Sequence, residues 1–156
     1  MTNKEILLKQ LRACRNESGW FTSMKASVKG LTQKQADWKS NEEMNSVHEI
    51  VRHLNFYNDR YLKRFQDTKV SIPEVSSNDD TFEPQDGEDR AWGAALKVYD
   101  NTMAAWINAV EQAEDEQLDK WMDDLTHLTI HNAYHIGQIV LIRKQQGSWE
   151  KKYGVS

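Results

Sequence analysis

The chain has 156 residues, room for one domain and not comfortably for two, and its 24 acidic against 20 basic residues leave a net charge of −4. That balance argues against a general nucleic-acid binder, whose phosphate contacts need a basic face. A single cysteine, Cys14, excludes a disulfide framework and every multi-cysteine zinc motif, and no apolar run approaches the roughly 18 residues of a membrane span.

The opening segment MTNKEILLKQL carries charges where an export signal needs an unbroken apolar stretch, so a cytoplasmic protein is expected. Seven Gly and two Pro are too few for an all-β chain with a turn every 8–12 residues or so. Six Trp and five Tyr can build a core from few positions. The expectation is an all-α protein, one domain over residues 1–156.

Four helical segments follow in chain order. From about Asn3 to Lys29, Ile6, Leu7, Leu11, Cys14, Phe21, Met24 and Val28 recur at three and four, with Gly19 as an interruption and Gly30 as a stop. LTQKQADWK (31–39) reads as a connector anchored by Trp38. Ser46-Val47-His48-Glu49 is a capping box that opens the second helix, whose stripe of Val47, Ile50, Val51, Leu54, Tyr57, Tyr61 and Phe65 runs to about Gln66. Residues 68–89 hold both prolines and an acidic cluster, which predicts a long loop, of the kind that serves as a lid. A third helix is expected from about Arg90 to Ala113, on Trp92, Leu96, Tyr99, Met103, Trp106 and Val110. The fourth is expected from about Asp124 to Gln146, closing at Gly147. Together these predict an antiparallel four-helix bundle with a long loop between helices 2 and 3.

All five histidines fall in the second and fourth of these helices. On the fourth, Leu128, His131, His135, Ile139 and Ile142 lie within about 80° of one another, so His131 and His135 sit inside an apolar stripe. One turn apart, they can reach one ion. His127 and His135 are two turns apart, about 12 Å, so three histidines of one straight helix cannot share a metal. A third ligand must come from the second helix. There His48 and His53 each lie about 110° from the centre of the stripe, on opposite flanks, and periodicity does not choose between them. His48 and His127 read more simply as hydrogen-bonded structural histidines. His131 and His135 have no carboxylate on their stripe, and a metal ion would satisfy both.

The segment HNAYHIGQIVLIRKQQGSW (131–149) resembles the closing helix of the DinB-like superfamily of small metal-binding helical bundles. Its hallmark is two histidines separated by three residues, then a small residue and Gln, here His131, His135, Gly137 and Gln138. WKSNEEMNSVHEIVRHL (38–54) resembles the family's other signature, which ends in His-Leu. The resemblance selects His53 over His48 as the third ligand. It implies a divalent ion, zinc or nickel, on three imidazoles in a homodimer. It also implies an activity among thiol-dependent transferases using bacillithiol, mycothiol or glutathione, with metal-dependent hydrolases as the alternative.

Three neutral histidines leave positions open for water or substrate, the arrangement of a catalytic zinc site. A thiol bound there ionises near neutral pH. No general base is visible on the metal-binding stripe, which favours thiol activation over water attack. The expected function is therefore transfer of a small-molecule thiol to an electrophile, with a hydrolase or a non-catalytic metal-binding stress protein as the other readings. Neither nucleic acid nor membrane is an expected partner. Around the metal, Glu49, which also serves the cap, is a candidate acceptor for the free N–H of His53, and Gln138 is a second candidate. Gln138 and Asn132 both lie near the stripe, and a hydrogen-bonding role within the core is the expectation for either. Cys14 reads as a small buried residue.

Overall fold

The computed structural model describes residues 1–69 and 74–154 and is all-helical, with no strand among the described residues. Four long helices carry the fold: α1 (Asn3–Arg15), α4 (Val47–Phe65), α5 (Trp92–Gln112) and α6 (Asp115–Gln145). Two single-turn helices, α2 (Met24–Ser27) and α3 (Gln33–Ala36), lie between α1 and α4.

The first predicted segment is broken in two. After Arg15 the chain leaves the helix at Asn16 and re-enters at α2, where the Ser23 hydroxyl caps the amide of Ala26. Phe21, Met24 and Val28 continue the spacing of α1 without continuing its helix. Their run crosses Asn16-Glu17-Ser18-Gly19, residues that favour caps and turns over helix interiors. Capping boxes not read from the sequence start α1 (Thr2 with Glu5) and α3 (Thr32 with Gln35). The expected box at Ser46 is present, with the Glu49 amide donating to Ser46 Oγ at 3.1 Å and the Ser46 amide to Glu49 at 2.8 Å. At the other end, α6 begins nine residues before the expected Asp124. Its first turns are dense in charge, yet Leu118 and Leu125 hold the inward face and are buried.

Each long helix packs on two others, α4 on α5 and α6, and α1 on α5 and α6. Contacts fix their directions. From α1 to α5 they pair Lys4 with Ala113 and Arg15 with Asp100, so these helices are antiparallel. From α4 to α6 they pair His53 with His131 and Phe65 with Trp121, again antiparallel. From α4 to α5 they pair His48 with Trp92, Asn55 with Ala95 and Phe65 with Trp106, and the numbers rise together. Thus α4 and α5 run parallel, a departure from the expected antiparallel arrangement. The long connection is the physical reason: it carries the chain back along α4, which is about 28 Å long, before α5 begins.

That connection is not shapeless. Residues 79–82 form a 3₁₀ turn that packs against α4 and buries Thr81. Residues 70–73, part of the expected loop, lie outside the described residues. The core between the long helices is dominated by large side chains: Trp106, Tyr99, Leu11, Leu54, Met103, Leu118 and Ile136 are all at most 2% exposed. Burying one such side chain stabilises by about 1.5–3 kcal/mol before entropy is counted. No helix among the described residues is long and apolar enough to cross a membrane.

Candidate metal centre

Two buried polar layers join α4 to α6. In the first, Asn58 and Asn132 exchange amide hydrogen bonds of 3.0 and 2.8 Å. Tyr99 of α5 adds its hydroxyl proton to Asn132 Oδ1 at 2.9 Å, and Trp106 donates to the Asn58 carbonyl at 2.9 Å. Every donor here meets an acceptor. The layer holds α4, α5 and α6 in register, so it fixes the relative position of His53 and His131.

The second layer is the histidine cluster. His53 of α4 and His131 and His135 of α6 each turn one ligand nitrogen inward, all within 4.8 Å of one another. His53 Nε2 lies 3.0 Å from His131 Nε2, and His135 Nε2 lies 3.1 Å from it. Three nitrogens around an ion at 2.0–2.1 Å stand roughly 2.9–3.4 Å apart for angles between octahedral and tetrahedral.

The outer nitrogens say where the protons are. Thr81 gives its hydroxyl proton to the Asn78 carbonyl at 2.6 Å, so its oxygen accepts from His53 Nδ1–H, also at 2.6 Å. Gln138 donates its amide N–H to Tyr134 at 3.1 Å and accepts from His135 Nδ1–H at 2.7 Å. With both Nδ1 atoms protonated, the Nε2 atoms of His53 and His135 are bare lone pairs. Only His131 can contribute a proton to the triangle, one between three nitrogens. One proton cannot satisfy three converging nitrogens, so lone pairs are left facing one another, and a divalent cation is the species that fits them.

Protons compete poorly for these nitrogens. Burial, with His135 and His131 close by, pushes the His53 imidazole down to about 3. Burial and the neighbouring His135 push His131 to about 4. His135 is lowered by burial too, against the opposing effect of its bond to Gln138. All three are neutral at pH 7, the form that binds a metal.

The 3₁₀ turn at 79–82 contributes to this site. Besides Thr81, it stacks Phe82 on His53 with ring centroids 4.1 Å apart and planes within 6° of parallel. Neither residue was legible as part of a site, because nothing in a polar loop reveals which helix it will cover. His131 also lines a pocket of about 230 Å³, together with Tyr57, Tyr61, Asn78, Asp124 and His127.

The remaining candidates fall elsewhere. His48 is buried, with Nδ1 2.7 Å from Asp37 and its ring edge-on to Trp92, outside the triad. His127 is exposed, 3.8 Å from Asp123. Glu49 does not reach His53: its carboxylate is taken by the Ser46 amide and by Lys39 at 2.8 Å, and Thr81 occupies the place expected of it. Gln138 does contact a triad ring, and Asn132 is a core residue. Cys14 is buried, which pushes its thiol up to about 12 and leaves it unreactive.

A family model described as the DinB superfamily matches residues 20–139, a span that takes in all three triad histidines. Neither the curated proteins nor the solved structures give a match.

Proposed function

The chain belongs to the DinB superfamily, and from that premise we propose that it is a divalent-metal-dependent enzyme that activates a low-molecular-weight thiol for attack on an electrophile. The observation that carries the reading is the inward convergence of three neutral imidazoles whose outer protons are held by Thr81 and Gln138. His53, His131 and His135 are the ligands, and imidazole donors suit zinc or nickel.

A divalent ion held on uncharged ligands lowers the pKa of a thiol or water in contact with it, so that deprotonation occurs near neutral pH. The chain's own residues supply the rest. Thr81 and Gln138 keep the rings of His53 and His135 in the ligating tautomer. His131 belongs to both the triad and the adjoining pocket, and Tyr57 of that pocket lies edge-on to the rings of His53 and His131, so a molecule in the pocket lies beside the site. Tyr57, Tyr61 and Leu128 give the pocket apolar walls that hold an electrophile close to the nucleophile. His127 and Asp124, on the same pocket, are placed to take up the released proton.

Those last two residues favour a second reading, hydrolysis. The metal-binding stripe itself carries no base, but Asp124 and His127 bring a carboxylate and an imidazole to the pocket that His131 lines. Metal analysis of the purified protein, followed by turnover of a generic electrophile with and without bacillithiol, mycothiol or glutathione, separates the readings. Turnover that needs both metal and thiol is expected. Turnover without thiol gives the hydrolase, and a bound metal with no turnover in either case gives a non-catalytic metal-binding protein.

The same reading takes residues 1–156 as one cytoplasmic bundle domain acting on small molecules, with neither nucleic acid nor membrane as partner. It also takes the protein as a homodimer. Ile130, Tyr134 and Leu141 lie on one side of α6 and are 56–62% exposed, an apolar face suited to a second copy. Light scattering at tens of micromolar should give twice the chain mass, and a monomer mass rejects the dimer.

A further inference from the structure

The largest cavity described in the molecule is not beside the triad. It is a groove of about 570 Å³ between the end of α1, α2 and the first turns of α5, and it shares no lining residue with the pocket at His131. Its floor is apolar and mostly buried: Met24, Val28, Leu31, Trp92 and Tyr99 are each at most 8% exposed. Gly93 faces it without a side chain. Its rim is cationic in a chain whose net charge is −4. Arg15 is committed to Asp100 through two bonds of 2.8 and 3.0 Å, which neutralise each other. Lys25 and Lys29 have no hydrogen bond or salt bridge from their ammonium groups among the described residues, and both are exposed at the mouth.

We propose that this groove is a second binding site, for a small carboxylate with an apolar body. The volume falls in the range of small-molecule sites, about 300–1,000 Å³, and an apolar lining with a few polar groups at one end is their usual chemistry. The apolar body lies on Trp92, Tyr99 and Met24. The carboxylate meets Lys25 and Lys29, two point charges that suit a single anionic head. A cationic amphipath of the same shape is repelled by them, and an uncharged one gains only the floor.

Octanoate and octylammonium, titrated calorimetrically into the whole protein, distinguish charge recognition from simple greasiness. One octanoate per chain is expected, with octylammonium at least about tenfold weaker. The double variant Lys25→Glu/Lys29→Glu should weaken octanoate by at least about tenfold while its helical circular dichroism stays unchanged. Gly93→Trp should abolish octanoate binding, because a Cβ at Gly93 meets nothing within 4 Å and its backbone is helical, so the ring enters open space without strain. Metal content should stay as in the wild type in both variants. Equal affinity for the two amphipaths overturns the proposal, as does no saturable octanoate binding. So does octanoate binding that survives in both variants, which would assign it to the exposed face of α6.

Discussion

The two polar layers between α4 and α6 are built five residues apart on α4 and one to three apart on α6, yet they are opposites in chemistry. The Asn58–Asn132 layer closes on itself: each amide gives what the other needs, and Tyr99 and Trp106 complete it. The histidine layer is equally well positioned but left open, since Thr81 and Gln138 take the outer protons and turn bare nitrogens toward each other. A core cluster that is structural satisfies its donors and acceptors within the protein. One that is satisfied everywhere except at a common centre is built for something that comes from outside. The asymmetry, more than burial or proximity, marks the triad as a site.

The comparison is broken most completely by taking away one member of each layer. His135→Ala should reduce bound metal from about one per chain to none by elemental analysis, because two imidazoles remain where three were needed. The metal-free variant should lose much less stability than Asn132→Ala does, since the lost bond to half-buried Gln138 can be replaced by water and the triangle of nitrogens is relieved of one lone pair. Asn132→Ala should do the reverse. It orphans the Asn58 amide and the Tyr99 hydroxyl in the core, at about 1–3 kcal/mol for each buried group. A loss of roughly 2–4 kcal/mol in urea unfolding of the metal-free protein is expected. If His135→Ala and Asn132→Ala destabilise the metal-free protein equally, the two layers are not different in kind.

A smaller effect tests the proton-holding role directly. Thr81→Val keeps the shape of the side chain but removes the oxygen that accepts from His53. Metal affinity should fall about 10–100-fold, the usual cost of losing such an orienting partner. Thr81→Ser should restore most of it. A competition titration with a chelator measures both, and unchanged affinity in Thr81→Val means that the tautomer of His53 is set some other way.

How much of this was legible in the sequence follows from what each residue depends on. The pairing of His131 with His135 depends on helical spacing alone, so it could be read directly. The choice of His53 could not be made by periodicity, because His48 is buried as well, on the other flank of α4, where Asp37 and Trp92 hold it. Only the resemblance separated them. Thr81 and Phe82 were unreadable because their role depends on where a polar loop folds back. Glu49 lies one turn from His53, which makes it a candidate partner, but the cap, itself readable at Ser46, and Lys39 hold its carboxylate. The parallel run of α4 and α5 was missed for a related reason: loop length shows that a chain can return along a helix, not that it does.

The smallest effect sharpens the comparison by removing burial from it. Arg15 and Asp100 make two charge-assisted hydrogen bonds, as many as join Asn58 to Asn132, but at the surface, where the Asp100 side chain is 53% exposed. Water can replace either partner, so Asp100→Asn should cost less than about 1 kcal/mol, well below Asn132→Ala. Its signature is in the pH dependence. The hydrogen bond from Arg15, ahead of the opposing cost of burial, holds the Asp100 carboxyl below its ordinary value in the folded protein. A carboxyl lowered on folding adds stability that is fully present above its unfolded pKa, about 3.9, and that is lost as pH falls through the lower folded value. Stability curves of wild type and Asp100→Asn should therefore run apart at neutral pH, begin to approach below about 3.9, and meet only under the folded-state pKa. Raising salt to about 1 M, where charges are screened beyond about 3 Å, should shrink the gap further, while the gap for Asn132→Ala, which carries no charge, stays fixed. A gap at Asp100 as large and as salt-insensitive as the one at Asn132 would mean that the number of hydrogen bonds, and not their removal from water, sets the strength of the buried layers.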